Sequence, residues 1–314
     1  MTPAGLLAWR RPWMFSFAAA ALLWLAAVAW SGQGGAETLA VALSFSVFSV
    51  LAGTGQMLVI ASGPGNIDLS VPSVITLSAY LSMGVMKSDD GLLVLGLLTA
   101  LGTGLLAGTL NHLSMRALRL PPLIATLAWS YVFQSLAMHL GGEATVKPPA
   151  QLALLSVQRV AGVQVLVVLA LLASIVVAVL LQRSVAGREL LATGQCAAAA
   201  RLTGIDTHRV RLRAYAACGA FSGITGFLLA AFTGGAALNM GDSYLLETIA
   251  VVVLGGTAIA GGQANALGIW GAALFLNLLA ALLNTVRVDA PLRFILFGAI
   301  IIAVLAATTR PQRA

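Results

Sequence analysis

The chain has 314 residues, of which 60% are apolar and only 9% charged, and its mean hydropathy is +0.98. A soluble domain is nearer ~45–50% apolar and ~25% charged, so this composition excludes a water-soluble enzyme and defines a polytopic membrane protein. The net charge of +7 reads as the positive-inside rule of membrane proteins, not as nucleic-acid binding.

One crossing needs roughly 20 apolar residues, which allows about ten. Run length and polar breaks place them near 13–31, 38–60, 72–87, 91–115, 121–141, 161–182, 212–233, 243–260, 264–286 and 292–309. The first run follows Arg10 and Arg11, and Ala27-Val28-Ala29 resembles a weak signal-peptide cleavage site. Its length and its terminal Trp30, an interface residue, favour an uncleaved span. The stretch 183–213 is the longest without a span and too short for a soluble domain.

With the N-terminus inside, Arg10, Arg11, Arg116, Arg119, Arg183, Arg188, Arg201, Arg209, Arg211, Arg213, Arg310 and Arg313 fall on cytoplasmic segments. Lys87, Lys147, Arg159, Arg287 and Arg293 fall outside. Twelve against five supports an even number of spans, with both termini cytoplasmic. Small residues four apart (Gly104 and Gly108, Gly219 and Gly223, Gly268 and Ala272) predict close helix packing within the chain, with a dimer seam as the alternative.

Three constellations stand out. Ser62 to Ser73 carries Gly63-Pro64-Gly65, then Asn66, Asp68, Ser70 and Pro72. Gly-Pro-Gly breaks a helix, and Ser70 is placed to cap the next one. Asp68 either lines a solute path or holds the turn through backbone N–H groups. The second is the loop from Gly187-Arg188 to Gly204, where four alanines before Arg201-Leu202 predict a short helix stopped by Gly204. A docking helix for a soluble partner is one reading and a solvated loop the other. The third is Gly255-Gly256 and Gly261-Gly262, which predicts a tight turn or a close helix approach; with no cation beside it, a phosphate cradle is excluded. Glu247 is expected to snorkel to the outer interface, with lining a vestibule as the alternative. Cys196 and Cys218 are too few for a disulfide framework and are expected to face the cytoplasm. Lys87 follows Met86 and Lys147 follows Val146, so the chain has no Walker A motif. His112, His139 and His208 lie on separate segments, so no metal site is expected.

Four ordered segments resemble the permeases of sugar-type ABC importers, the ribose/xylose/galactose group within the branched-chain permease superfamily. Asn66-Ile67-Asp68-Leu69-Ser70-Val71, with Gly55-Gln56 upstream, is similar to that family's Gly-Gly-Ile-Asp-Leu-Ser-Val-Gly-Ser segment. Leu120-Pro121-Pro122-Leu123-Ile124-Ala125-Thr126-Leu127 is similar to its Val-Pro-Pro-Phe-Ile-Ala-Thr-Leu. Residues 187–204 and 252–262 resemble its ATPase-docking loop and its glycine turn. Asn66 and Pro72 stand where glycine is usual, and Cys196 and Ala197 where acids are frequent.

The resemblance implies an all-α polytopic membrane protein of about ten helices, with a broken or re-entrant segment near 62–73. It implies one permease domain over 1–314 with a docking loop at 184–212, no catalytic residues and no metal. The path would be lined by Gln56, Asn66, Asp68, Ser70 and Thr126. Docking would use Gly187, Arg188, Ala199, Arg201, Leu202 and Gly204. Gly255, Gly256, Gly261 and Gly262 would form the tight turn. Implied partners are cytoplasmic ATPase subunits that bind ATP and Mg, a second permease subunit in a homo- or heterodimer, and an extracytoplasmic solute-binding protein, all at a bacterial inner membrane. Membrane lipid surrounds the chain, which holds no cofactor of its own. The rival is an ion-coupled secondary transporter, which needs more buried ionisable groups and an inverted pair of broken helices; the sequence displays no such pair.

Overall fold

The computed structural model describes residues 12–31, 35–141 and 147–285, and single positions between 289 and 302. Along the chain run α1 (Pro12–Ser31), α2 (Gly35–Ala61), α3 (Val71–Met86), α4 (Leu93–Leu118), α5 (Pro122–Leu140), the short α6 (Ala150–Val157), β1 (Arg159–Val160), β2 (Val163–Gln164), α7 (Val165–Arg183), α8 (Val185–Gln195), α9 (Ala197–Leu202), α10 (Thr207–Thr233), α11 (Tyr244–Leu254) and α12 (Gly268–Thr285). The fold is all-α apart from the β1–β2 hairpin.

Five helices among the described residues are long and apolar enough to cross a membrane: α2, α4 with the 3-10 turn before it, α5, α7 and α10. The apolar helices within α1, α3, α11 and α12 are shorter. The expected span at 161–182 starts later, because Ala161 and Gly162 turn the β hairpin at positive φ. The expected span at 243–260 stops at Leu254, and the one at 292–309 lies outside the continuously described residues.

α2 is the central helix and packs against α7, α10, α11 and α12. α10 also lies along α3 and α4. The glycine pairs make that last contact. A Cβ on Gly104 would stand 2.0 Å from Gly219 O, one on Gly108 2.0 Å from Tyr215 O, and one on Gly223 2.2 Å from Ala100 O. Backbone meets backbone there, so the seam is internal packing and not a dimer face. Gly268 does the same against Gly255 O at 2.0 Å.

Among the described apolar helices, α3 and α11 fall well short of a crossing. At about 1.5 Å per residue, α3 spans about 24 Å and α11 about 16 Å, against ~30 Å of hydrocarbon. Each follows an irregular segment, 62–70 before α3 and 234–243 before α11. The 234–243 segment meets the first turn of α3, directly after the 62–70 segment: a Cβ on Gly241 would stand 2.1 Å from Pro72 O. The sequence displays one break; among the described residues the structure adds a second at 234–243, which lacks the Gly-Pro-Gly signature of the first.

Candidate functional site

The first site is built where α2 ends. Ser62 Oγ bonds back to Val59 O at 2.7 Å, and Gly63 and Gly65 take φ of 145° and 74°, which glycine adopts without strain. The chain then climbs back into the bundle. Asp68, 3% exposed, sits inside it. Asp68 Oδ1 accepts from Ser70 N at 2.9 Å and Ser70 Oγ at 2.7 Å. Asn111 Nδ2 on α4 reaches both carboxyl oxygens, at 3.2 and 3.3 Å, and Ser70 Oγ at 2.7 Å. Ser70 does occupy the N-cap position of α3, but its hydroxyl serves Asp68 and makes no side-chain cap bond.

Around this carboxyl the bundle gathers more polar groups. Tyr215 Oη donates to Asn66 Oδ1 at 3.5 Å, and Cys218 Sγ lies 3.7 Å from Gln56 Oε1. Gln56, Asn66, Asp68 and Ser70 thus belong to one buried cluster. Thr126 stands beside it: its Oγ1 accepts from Leu69 N at 3.1 Å and donates to Pro122 O at 2.9 Å. Gln56 Nε2, Asn66 Nδ2, Asn111 Oδ1 and Arg211 Nε have no hydrogen-bond partner among the described residues. Asn111, Tyr215 and Cys218 were not singled out for this site by sequence. The Asn111-His112 pair inside an otherwise apolar run was the available signal, since polar groups at that depth need a partner. Cys218 is buried in α10 and faces Gln56, not the cytoplasm, whereas Cys196 is exposed. The rings of His112 and His208 come within 6.5 Å, although they lie on separate segments. Among the described residues no group of three His, Cys, Asp or Glu side chains is placed to hold a metal.

Glu247 does not snorkel. It points inward to Ser49 Oγ on α2 and Asn277 Nδ2 on α12, the latter at 3.4 Å. Its position on α11, about two turns before the glycine turn, sets it between those two helices.

Residues 184–212 hold α8, α9 and the start of α10. Ser184 ends α7 and caps α8, its Oγ accepting from Gly187 N at 3.0 Å. Gly187 permits close contact with α7, since a Cβ would stand 2.4 Å from Leu180 O. Arg188 is exposed and bonds Arg183 O at 3.2 Å. α9 follows and is stopped by Gly204 at φ 87°, as its sequence predicts. Ala199, Arg201 and Gly204 are exposed, and Leu202 is 91% exposed. Asp206 then caps α10 by accepting from His208 N and Arg209 N, both at 3.1 Å. These amide bonds hold its carboxyl below the usual value.

The glycine turn closes under both. Gly256, Gly261 and Gly262 have positive φ. Gly255 does not; its lack of a side chain admits Gly268. Gly262 N donates to Ala61 O at 2.9 Å, and Gln195 Nε2 donates to Gly262 O at 3.4 Å. The break, the end of α8 and the glycine turn therefore touch.

The described residues form a multi-pass apolar helix bundle with an irregular segment inside it and an exposed loop helix, the class of integral membrane proteins. The chain belongs to the family of the permease component of the branched-chain amino acid transport system, whose model matches residues 37–305. It is 32% identical over 259 residues to the probable ABC transporter permease protein y4mJ of Sinorhizobium fredii, covering 82% of this chain and 77% of that one. It is 31% identical over 286 residues to the autoinducer 2 import system permease protein LsrC of an Enterobacter species, covering 88% and 82%. The same-named protein of Escherichia coli K12 is 28% identical over 270 residues, covering 86% and 78%. No solved structure matches. The chain is the permease subunit of an ABC importer, and such subunits work with separate ATPase and binding-protein subunits.

Proposed function

We propose that this permease moves a small, neutral, hydroxyl-bearing solute across a bacterial inner membrane, with both chain termini in the cytoplasm. A binding protein delivers the solute from outside, and an ATPase that binds ATP and Mg docks on α9. Two permease subunits, alike or different, enclose the path. The observation that carries the docking reading is Leu202, 91% exposed at the end of α9, the short helix that Gly204 stops. A large apolar group so placed suits a protein partner. The solute reading rests on relatives named for autoinducer 2 import; that compound and monosaccharides are the solutes to try first.

Replacing Ala199 with Asp tests the docking. A charge buried at the contact costs several kcal/mol, so the variant inserts in the membrane but no longer co-purifies with its ATPase. Normal co-purification and normal ATP-driven uptake in the Ala199→Asp protein would refute docking at α9.

A further inference from the structure

The segment 234–243 puts polar groups where lipid-exposed polar backbone is not tolerated. Its depth is fixed by two contacts. Gly241 lies against Pro72 O, as given above, and Gln134 Nε2 on α5 donates to Leu238 O at 2.8 Å. Gln134 is twelve residues along α5, about 18 Å from its start at ~1.5 Å per residue. At that level Asn239, Asp242 and Ser243 are exposed on the surface of the bundle. Irregular backbone at membrane depth survives only inside protein or along a water-filled cavity. The neighbouring stretch of α5 is polar too: Ser130 Oγ shares a 2.6 Å hydrogen bond with Ser73 Oγ, and Tyr131 and Ser135 are exposed.

We propose that Leu238 to Ser243 is the outer counterpart of the 62–70 break, and that Asn239, Asp242 and Ser243 line an aqueous path for a neutral, hydroxyl-rich solute. Gln134 is the positioning residue that holds the segment through Leu238 O. The set offers a carboxylate acceptor, an amide and a hydroxyl, which pair with solute hydroxyls in either direction. It contains no lysine or arginine, so it selects against anionic solutes. This inference rests on the permease reading and locates the solute elsewhere than the Asp68 cluster: the buried cluster holds the inner break, and the exposed segment meets the solute. The Gly241–Pro72 contact ties the outer segment to the first turn of α3, directly after the inner break.

The test uses the full permease–ATPase complex in sealed vesicles, with Cys196 replaced by Ser. Single cysteines at Asn239→Cys and Ser243→Cys are exposed to the membrane-impermeant thiol reagent sulfonatoethyl methanethiosulfonate. Lys147→Cys serves as the surface control. Reaction within tenfold of that control is expected, and trapping with ATP and vanadate should change the rate at 239 and 243 at least fivefold while 147 is unaffected. Gln134→Leu should shift the rates at 239 and 243 and leave vanadate trapping intact. Protection of both cysteines would overturn the proposal, because the segment would then face lipid or a dry subunit contact. Reaction insensitive to trapping would overturn it too. Loss of the ATPase from the wild-type complex is a different failure and sinks the permease reading alone.

Discussion

Gly194 lies on the main-chain carbonyl of Ala61: a Cβ at Gly194 would stand 2.0 Å from that oxygen and 2.3 Å from Gly262 N. Gly262 N in turn donates to Ala61 O. Ala61 is the last residue of α2 before the break, and Gly194 is the penultimate residue of α8 before the exposed α9. Force applied at α9 therefore reaches the break through backbone, with no soft side chain between.

Gly194→Ala should consequently be severe for so small a change. The clash is with main-chain atoms, which no rotamer relieves, and overpacking of this kind costs about 1–3 kcal/mol. The purified variant should melt several degrees lower, and its ATP hydrolysis should no longer drive uptake. Wild-type melting and wild-type coupling would show that the junction is loose.

Asp68 and Asn111 should be energetically coupled. Removing one partner from a buried hydrogen-bonded pair leaves the other unsatisfied at about 1–3 kcal/mol. Asp68→Ala and Asn111→Ala should each lower the yield of folded protein, and the double variant should cost clearly less than their sum. Additive losses would mean that the two groups do not meet in the membrane. Asp68→Asn adds a functional readout: uptake per folded complex should be unchanged, because the carboxyl is buried and engaged by Ser70 and Asn111. A large drop with continued ATP turnover would place it on the solute path instead.

What sequence reveals here follows from what each signal costs. The inner break is legible because Gly63-Pro64-Gly65 admits few structures, and α9 because four alanines meet a glycine stop. The seam of Gly104 and Gly108 with Gly219 is legible as packing, though only coordinates pair the two helices. Glu247 was misjudged because a lone acid near a predicted span end looks the same whether it snorkels or pairs; Ser49 and Asn277 are 198 and 30 residues away from it. The outer segment was hidden for another reason. Its residues are ordinary loop residues, and only the contacts with Pro72 and Gln134 reveal their depth.

Asp206 gives a pH dependence whose sign is fixed. Its folded-state carboxyl is held below the ordinary value of 3.8, first by the Arg209 amide. A depressed pKa contributes stability above the unfolded value and loses it as pH falls through the folded value. Wild type should therefore melt above Asp206→Ala at pH 6 to 7, and the gap should shrink below about pH 4. Asp206→Asn should keep part of the cap and titrate less. A gap that is constant down to pH 3 would remove the charge from the account.

The topology is open to a direct chemical test that the structure sharpens. The sequence places Lys147 and Asp289 outside and Leu118 and the α9–α10 loop inside, on the charge split. Lys147, Asp289, Leu118 and Thr203 are all exposed, whereas Thr207 is buried and would make a poor reporter. Cys196 must be replaced because it is exposed; Cys218 is buried and can stay. Single cysteines at 147 and 289 should react with an impermeant maleimide on intact cells. Cysteines at 118 and 203 should react only after the membrane is opened. Labelling at 203 from outside would invert the bundle and put α9 out of reach of any cytoplasmic ATPase. Labelling at 289 only from inside would mean that an even number of crossings precedes that point, such as eight in place of the expected nine.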